Sequence, residues 1–173
     1  MSIQVLDNSI SLYSQELIEK IVTHQDFPWY YNPSTLNDGK RTSAIDKFQL
    51  AHLLVVNGEV NSEYAEDILG CFVKMPAFAT HRVWKAKLNL NFPYKKRNLK
   101  MLHHDTVDDR DVTYLYYCID SDGPTRFFPN WWRTKKVHPK RGRIVRFPSY
   151  TKHSATLPYK YDNRIVLNIV FKL

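Results

Sequence analysis

The chain has 173 residues, 43% hydrophobic and 24% charged, with 25 Lys and Arg against 17 Asp and Glu for a net charge of +8. A chain of this length buries roughly 70% of the surface its unfolded form exposes, so one domain, residues 1–173, is expected, and disordered or low-complexity classes are excluded. Cys71 and Cys118 are far apart and form no CxxC pair, which removes a zinc ribbon and a disulfide scaffold.

In chain order, residues 3–6 read as a short strand. Residues 11–24 read as an amphipathic helix, with Leu17, Ile18, Ile21 and Val22 on one face. Pro28 stops regular structure, Trp29-Tyr30-Tyr31 is extended, and 32–41 is a polar loop. Residues 48–56 are apolar and β-branched, a strand pattern, and Asn57-Gly58 signals a turn. Ser62 is placed to cap a second helix over 63–74, with Ala65, Ile68, Leu69 and Phe72 inward.

Beyond residue 80 the pattern becomes that of short strands, at 82–92, 99–105, 112–119, 125–128, 143–147 and 164–172. Turn-rich segments such as Asp120-Ser121-Asp122-Gly123-Pro124 separate them. The expected architecture is mainly β with supporting helices, a jelly roll or double-stranded β-helix. Residues 1–79 would supply helical and strand support, and residues 80–173 the jelly-roll core.

The N-terminus carries acids and polar residues where a signal peptide needs an apolar run, and no stretch approaches the ~20 apolar residues of a membrane span. A reducing, cytoplasmic setting without a membrane is the expectation. The sequence leaves the oligomeric state open.

Among the seven histidines, His24, His52, His81 and His138 have no carboxylate or histidine at ligand spacing and read as surface or structural residues. His103-His104-Asp105 differs. On a strand, His103 and Asp105 project to one face while His104 points away, so two metal ligands share a face. The triplet alone recurs by chance, and its support lies downstream. RIVRFPSYTKH, residues 143–153, carries His153, and Arg164 opens the final strand RIVLNIVFKL.

Two histidines and one carboxylate on one face of an Fe(II) ion leave three positions open. A 2-oxo acid fills two of them, and a guanidinium suits its far carboxylate because it pairs bidentately. Arg164 fits that role, sharing one strand face with Val166 and Asn168, while Ile165, Leu167, Ile169 and Phe171 form an apolar opposite face. The alternative is a surface arginine paired with Asp162.

With these residues in place, the chain resembles the Fe(II)/2-oxoglutarate-dependent dioxygenases, in particular their prolyl 4-hydroxylase-like branch, over most of its length. The opening helix and FPWYY stretch, the H-x-D segment followed by VTYLYYCIDSDGPTRFF, the block RGRIVRFPSYTKHSATLP and the closing RIVLNIVF carry the resemblance. It implies His103, Asp105 and His153 as catalytic iron ligands and Arg164 as partner of the distal carboxylate of 2-oxoglutarate. Tyr117 matches a tyrosine bonded to that carboxylate, and Asn168 a small polar residue lining the pocket.

The implied cofactors are Fe(II) and 2-oxoglutarate, with ascorbate as an accessory reductant. The implied reaction is hydroxylation of an unactivated C–H bond on a prolyl or other amino-acid side chain, in a peptidyl or small-molecule substrate. Succinate and CO2 are the co-products. Pro124 and Arg126 depart from the family's "GGET-x-F" pattern, which bears on the shape of the substrate rim. The first core strand offers Arg82, Lys85, Lys87, Asn89 and Asn91 without singling one out.

Arg133 to Arg146 holds seven basic residues and no acid, after Trp131-Trp132. It reads as a solvated loop over the barrel mouth with the tryptophans beneath it, in preference to a nucleic-acid surface. The family's nucleic-acid demethylases place a second arginine six residues after the first on the last strand, where this chain has Val170. Nucleic acid, nucleotide or metabolite oxidation is therefore the alternative reading, and a non-catalytic jelly-roll binding protein a further one.

Overall fold

A computed structural model describes residues 2–33, 48–94, 102–130 and 133–172. The opening strand β1 (Gln4–Leu6) leads into helix α1 (Leu12–Thr23). Ser11 caps that helix by accepting the Ser14 N–H at 3.0 Å, as its side-chain chemistry predicts. Ile18 and Val22 are buried beneath it. Strands β2 (Tyr30–Asn32), β3 (Gln49–Val56) and β4 (Glu59–Val60) follow. Asn57 and Gly58 both adopt positive φ, the backbone of a tight two-residue hairpin between β3 and β4.

The second helix is shorter than expected. Helix α2 spans only Ala65–Gly70, and a separate helix α3 (Pro76–Thr80) starts after a run of turns. Ser62 is no helix cap: its hydroxyl accepts the Tyr64 N–H and pairs with His52 Nε2 at 2.7 Å. Pro76 keeps α2 and α3 from joining, because the residue before a proline is driven out of helical geometry, and Met75 is extended.

The remaining strands are β5 (Arg82–Asn91), β6 (Val112–Tyr117), β7 (Thr125–Asn130), β8 (Arg133–Val137), β9 (Ile144–Pro148), β10 (Lys152–Ala155) and β11 (Arg164–Lys172). All pairings are antiparallel. The larger sheet runs β1-β9-β6-β11-β5-β3-β2, with β4 on β3, and the smaller runs β10-β7-β8. This is the expected jelly-roll class, mainly β with supporting helices.

Strand β11 lies between β5 and β6, and its alternation sorts two cores. Ile165, Leu167, Ile169 and Phe171 join Ile18, Ile68 and Phe72 beneath the helices. Val166, on the other face, joins Leu115, Tyr117, Phe127 and Phe147 between the sheets. The polar residues of that inner face therefore point into the space where the two sheets meet.

Two further expectations need correction. The strand expected at 99–105 is, among the described residues, a single bridge between His103 and His153; residues 95–101 lie outside the described part. The basic loop is in part a strand, β8, whose Arg133, Lys135 and Lys136 are exposed along the outer edge of the smaller sheet. Charged residues on an edge strand oppose pairing with another chain. Arg141 binds Glu19, and Arg143 binds Asp7 through two contacts of 2.8 and 2.9 Å. Trp131 and Trp132 lie outside the described residues. Among those described, no helix is long and apolar enough to cross a membrane.

Candidate metal centre and its cavity

Backbone pairing places the two histidines. The His103 N–H donates to the His153 carbonyl at 3.0 Å and the His153 N–H returns the bond at 2.8 Å. Directly opposed residues bring their side chains together, and the imidazole centroids are 4.5 Å apart. The Asp105 N–H donates to the Ser149 carbonyl at 2.9 Å, which turns its carboxylate toward the same point. The donor atoms of His103, Asp105 and His153 all lie within 4.8 Å of one another.

His153 and Asp105 are held from behind. The carbonyl of Thr151 lies 2.9 Å from His153 Nδ1, which fixes the proton there and leaves Nε2 as the free donor atom, 3.9 Å from Asp105 Oδ2. Phe127 and Phe147 pack the same ring at centroid distances of 5.8 and 5.0 Å. Asn168 Nδ2 donates to Asp105 Oδ1 at 2.9 Å, and the Thr113 hydroxyl donates to Oδ2 at 2.9 Å.

Two imidazoles and a carboxylate facing one cavity suit a first-row divalent ion with open positions, whose ligand bonds are ~2.0–2.2 Å. Among the described residues the nearly buried Asp105 carboxylate hydrogen-bonds only to neutral donors, so a metal ion would supply a close positive charge. His104 does not point wholly away, as a full strand would require. It lies at the cavity rim, outside the three-residue cluster.

The cavity measures about 260 Å³, and Arg164 closes one end of it. That arginine is only 2% exposed, which removes the alternative of a surface pair with Asp162. Its Nε donates to the Gly123 carbonyl at 2.8 Å and its Nη2 to the Thr125 hydroxyl at 2.8 Å. Among the described residues no carboxylate contacts it. Burial works against its charge, and the cost of a buried cation is offset only by an anion or good hydrogen bonds.

Tyr117 stands one layer behind this end. Its hydroxyl donates to Thr125 Oγ1 at 2.8 Å, burial raises its pKa and keeps it a neutral donor, and its ring lies 5.6 Å from the Arg164 guanidinium carbon. The cavity wall at this point is Thr125. The 122–126 segment thus forms part of the Arg164 pocket as well as the rim. Gly123 is required there because a Cβ would press on the Thr156 carbonyl.

Sequence reasoning did not single out Thr125, Gly123 or Thr113. Thr125 was legible only as an inward position on a strand. Asn168 does line the cavity, and it also holds Asp105. Of the first-strand candidates, Lys85, Lys87, Asn89 and Asn91 line the cavity, whereas Arg82 faces away and binds Glu59 at 2.8 Å.

No protein-family model matches the chain, and no curated protein matches it. Solved structures do. A prolyl hydroxylase from Trichoplax adhaerens, in complex with a hypoxia inducible factor oxygen degradation domain peptide, aligns with TM-score 0.71 and 14% identity over 98% of this chain and 82% of that one. A 2OG-Fe(II) oxygenase family oxidoreductase from Burkholderia pseudomallei aligns with TM-score 0.64 and 11% identity, over 83% and 73%. A non-heme alpha-ketoglutarate-dependent carbocyclase of nogalamycin biosynthesis aligns with TM-score 0.68 and 11% identity, over 98% and 78%. The chain has the jelly-roll fold of the 2-oxoglutarate/Fe(II) oxygenases, prolyl hydroxylases among them.

Proposed function

We propose that the protein is an Fe(II)- and 2-oxoglutarate-dependent dioxygenase that hydroxylates an unactivated C–H bond on a prolyl or other amino-acid side chain. One observation carries this reading: a 2-His-1-carboxylate cluster and a buried arginine without a carboxylate partner share one cavity. His103, Asp105 and His153 would hold the metal. Arg164, with the Thr125 hydroxyl, would bind the far carboxylate of 2-oxoglutarate.

Bound together, Fe(II) and 2-oxoglutarate would let dioxygen be used as the oxidant, one oxygen atom entering the substrate as hydroxyl and the other entering the succinate formed with CO2. The chain's own contribution is placement. Asn168 and Thr113 hold both oxygens of Asp105, and the Thr151 carbonyl holds the proton on His153 Nδ1. The peptide-bound prolyl hydroxylase among the structural neighbours favours a peptidyl or small-molecule substrate. Nucleic acid is not favoured, because Arg141 and Arg143 of the basic segment already pair with Glu19 and Asp7. Ascorbate forms no part of the proposal.

Succinate release from 2-oxoglutarate, measured with proline-containing peptides, free amino acids and nucleotides, tests it. Stimulation by an amino acid or peptide, abolished in His103→Ala and Asp105→Ala, is the expected result. Stimulation by nucleotides alone would move the protein to the alternative substrate class, and no metal-dependent turnover with any of them would contradict the reading.

A further inference from the structure

The register of β5 against β11 orders the cavity along one axis. Arg164 lies across from Asn91, Val166 from Asn89, Asn168 from Lys87, and Val170 from Lys85. At ~3.3 Å per strand residue, Arg164 is ~13 Å from the Asn168 level, where Asp105 is held. Lys87 stands at that level, and Lys85 lies ~7 Å beyond it, on the side away from Arg164. On the functional reading above, which this inference rests on, 2-oxoglutarate occupies the Arg164 side. The Lys85–Lys87 side is left to the substrate that is oxidised.

That side is cationic in an unusual way. Lys87 is 7% exposed, and its ammonium has no hydrogen bond or ion pair among the described residues. Burial, then Lys85 beside it, brings its pKa down to about 8, against the pull of Asp105. A lysine held charged in such a place lacks an anion. Among the described residues the lining says the same: three cations, Lys85, Lys87 and Arg164, face one carboxylate, Asp105. A divalent metal and the dianion of 2-oxoglutarate cancel each other, so the excess of two positive charges persists.

Lys87 also borders a second cavity, walled by Tyr30, Tyr31, His52 and Tyr64, so the two cavities meet at its side chain. A substrate body has room there while its charged group stays at the lysines.

We propose that Lys85 and Lys87 form the recognition site for an anionic group, carboxylate or phosphate, on the substrate that is oxidised. The group sits within a few bonds of the oxidised carbon, since Lys87 is level with Asn168 and Asp105. This selects a free amino acid or other small acid over an internal peptide residue, whose flanking backbone is uncharged.

The test is NMR of ε-13C-lysine in the full chain loaded with Zn(II) and saturating 2-oxoglutarate, with the two signals assigned through Lys85→Met and Lys87→Met. Acetate and glycerol phosphate are the probes, and acetamide and glycerol their neutral counterparts. Zn(II)-dependent retention of 2-oxoglutarate is checked first. Its absence overturns the oxygenase reading and this proposal with it.

Given retention, the Lys87 signal should move saturably with at least one anion and with neither neutral probe. Affinity for that anion should fall about tenfold or more in Lys87→Met and recover in Lys87→Arg. Which anion binds separates carboxylate from phosphate. A Lys87 signal that responds no more than those of exposed lysines, or equally to acetamide and glycerol, overturns this proposal alone.

Discussion

Arg164 and Tyr117 converge on one atom, the hydroxyl oxygen of Thr125, each donating to it at 2.8 Å. A threonine oxygen has two lone pairs, so both are occupied and the hydroxyl hydrogen remains to be donated. Thr125 lines the cavity, and that hydrogen is available to an anion seated against Arg164. Three side chains from three strands thus make one hydrogen-bonded unit at the end of the cavity.

Arg164→Met keeps the volume and removes the charge. Loss of one partner from a buried charge pair costs roughly 2–4 kcal/mol, so 2-oxoglutarate affinity should fall ~30- to 700-fold. Metal affinity in the absence of 2-oxoglutarate should stay within about twofold, since Arg164 contacts none of His103, Asp105 and His153. Calorimetric titration of each ligand separately checks both statements.

Thr125→Val removes the shared hydroxyl without changing shape. Affinity for 2-oxoglutarate should fall about tenfold, the worth of roughly 1.4 kcal/mol. Tyr117→Phe should cost less, because Tyr117 does not itself line the cavity and acts through Thr125 and Arg164. A double-mutant cycle in the same titration should show the two losses to be non-additive.

Asn168→Ala releases one oxygen of Asp105, and Thr113→Val the other. Partners of this kind are worth about 10- to 100-fold in metal affinity. The loss should appear in Mn(II) titrations, with 2-oxoglutarate affinity of the metal-loaded protein little changed. That is the reverse of the Arg164→Met pattern.

The pair of Asp7 and Arg143 predicts a pH effect far from the site. The Arg143 guanidinium holds the Asp7 carboxyl below its usual 3.8. A depressed carboxyl contributes stability that is complete above the unfolded value and lost as pH falls through the folded one. The half-exposed pair should contribute under ~1 kcal/mol. Thermal melts of wild type and Asp7→Asn should differ at neutral pH and converge as pH falls through the lowered Asp7 value.

Much of this is legible in the sequence. The alternation of RIVLNIVFKL names both faces of β11, and the H-x-D spacing points to His103 and Asp105 as paired ligands, with His153 following downstream. What stayed hidden depended on register or on competition. Alternation over 85–91 sets Lys85, Lys87, Asn89 and Asn91 opposite Ala86, Leu88 and Leu90, with Arg82 on the second parity. It does not say which polar side chain comes level with Asp105, which pairing with β11 decides. The 63–74 periodicity looked helical, but Pro76 dictates an extended Met75 ahead of it. The run of bases hid its partners because Glu19 and Asp7 lie over 120 residues away in sequence. Arg164 was readable as a strand residue. Its burial without an acid was not.

On the proposed function a metal and a 2-oxo acid share the His103–Asp105–His153 cavity. Anaerobic titration of the purified protein with Fe(II) and 2-oxoglutarate, following the weak visible charge-transfer band, tests it most directly. A band that needs both components and vanishes in His153→Ala is the expected result. A folded protein that gives no band with both present would contradict it.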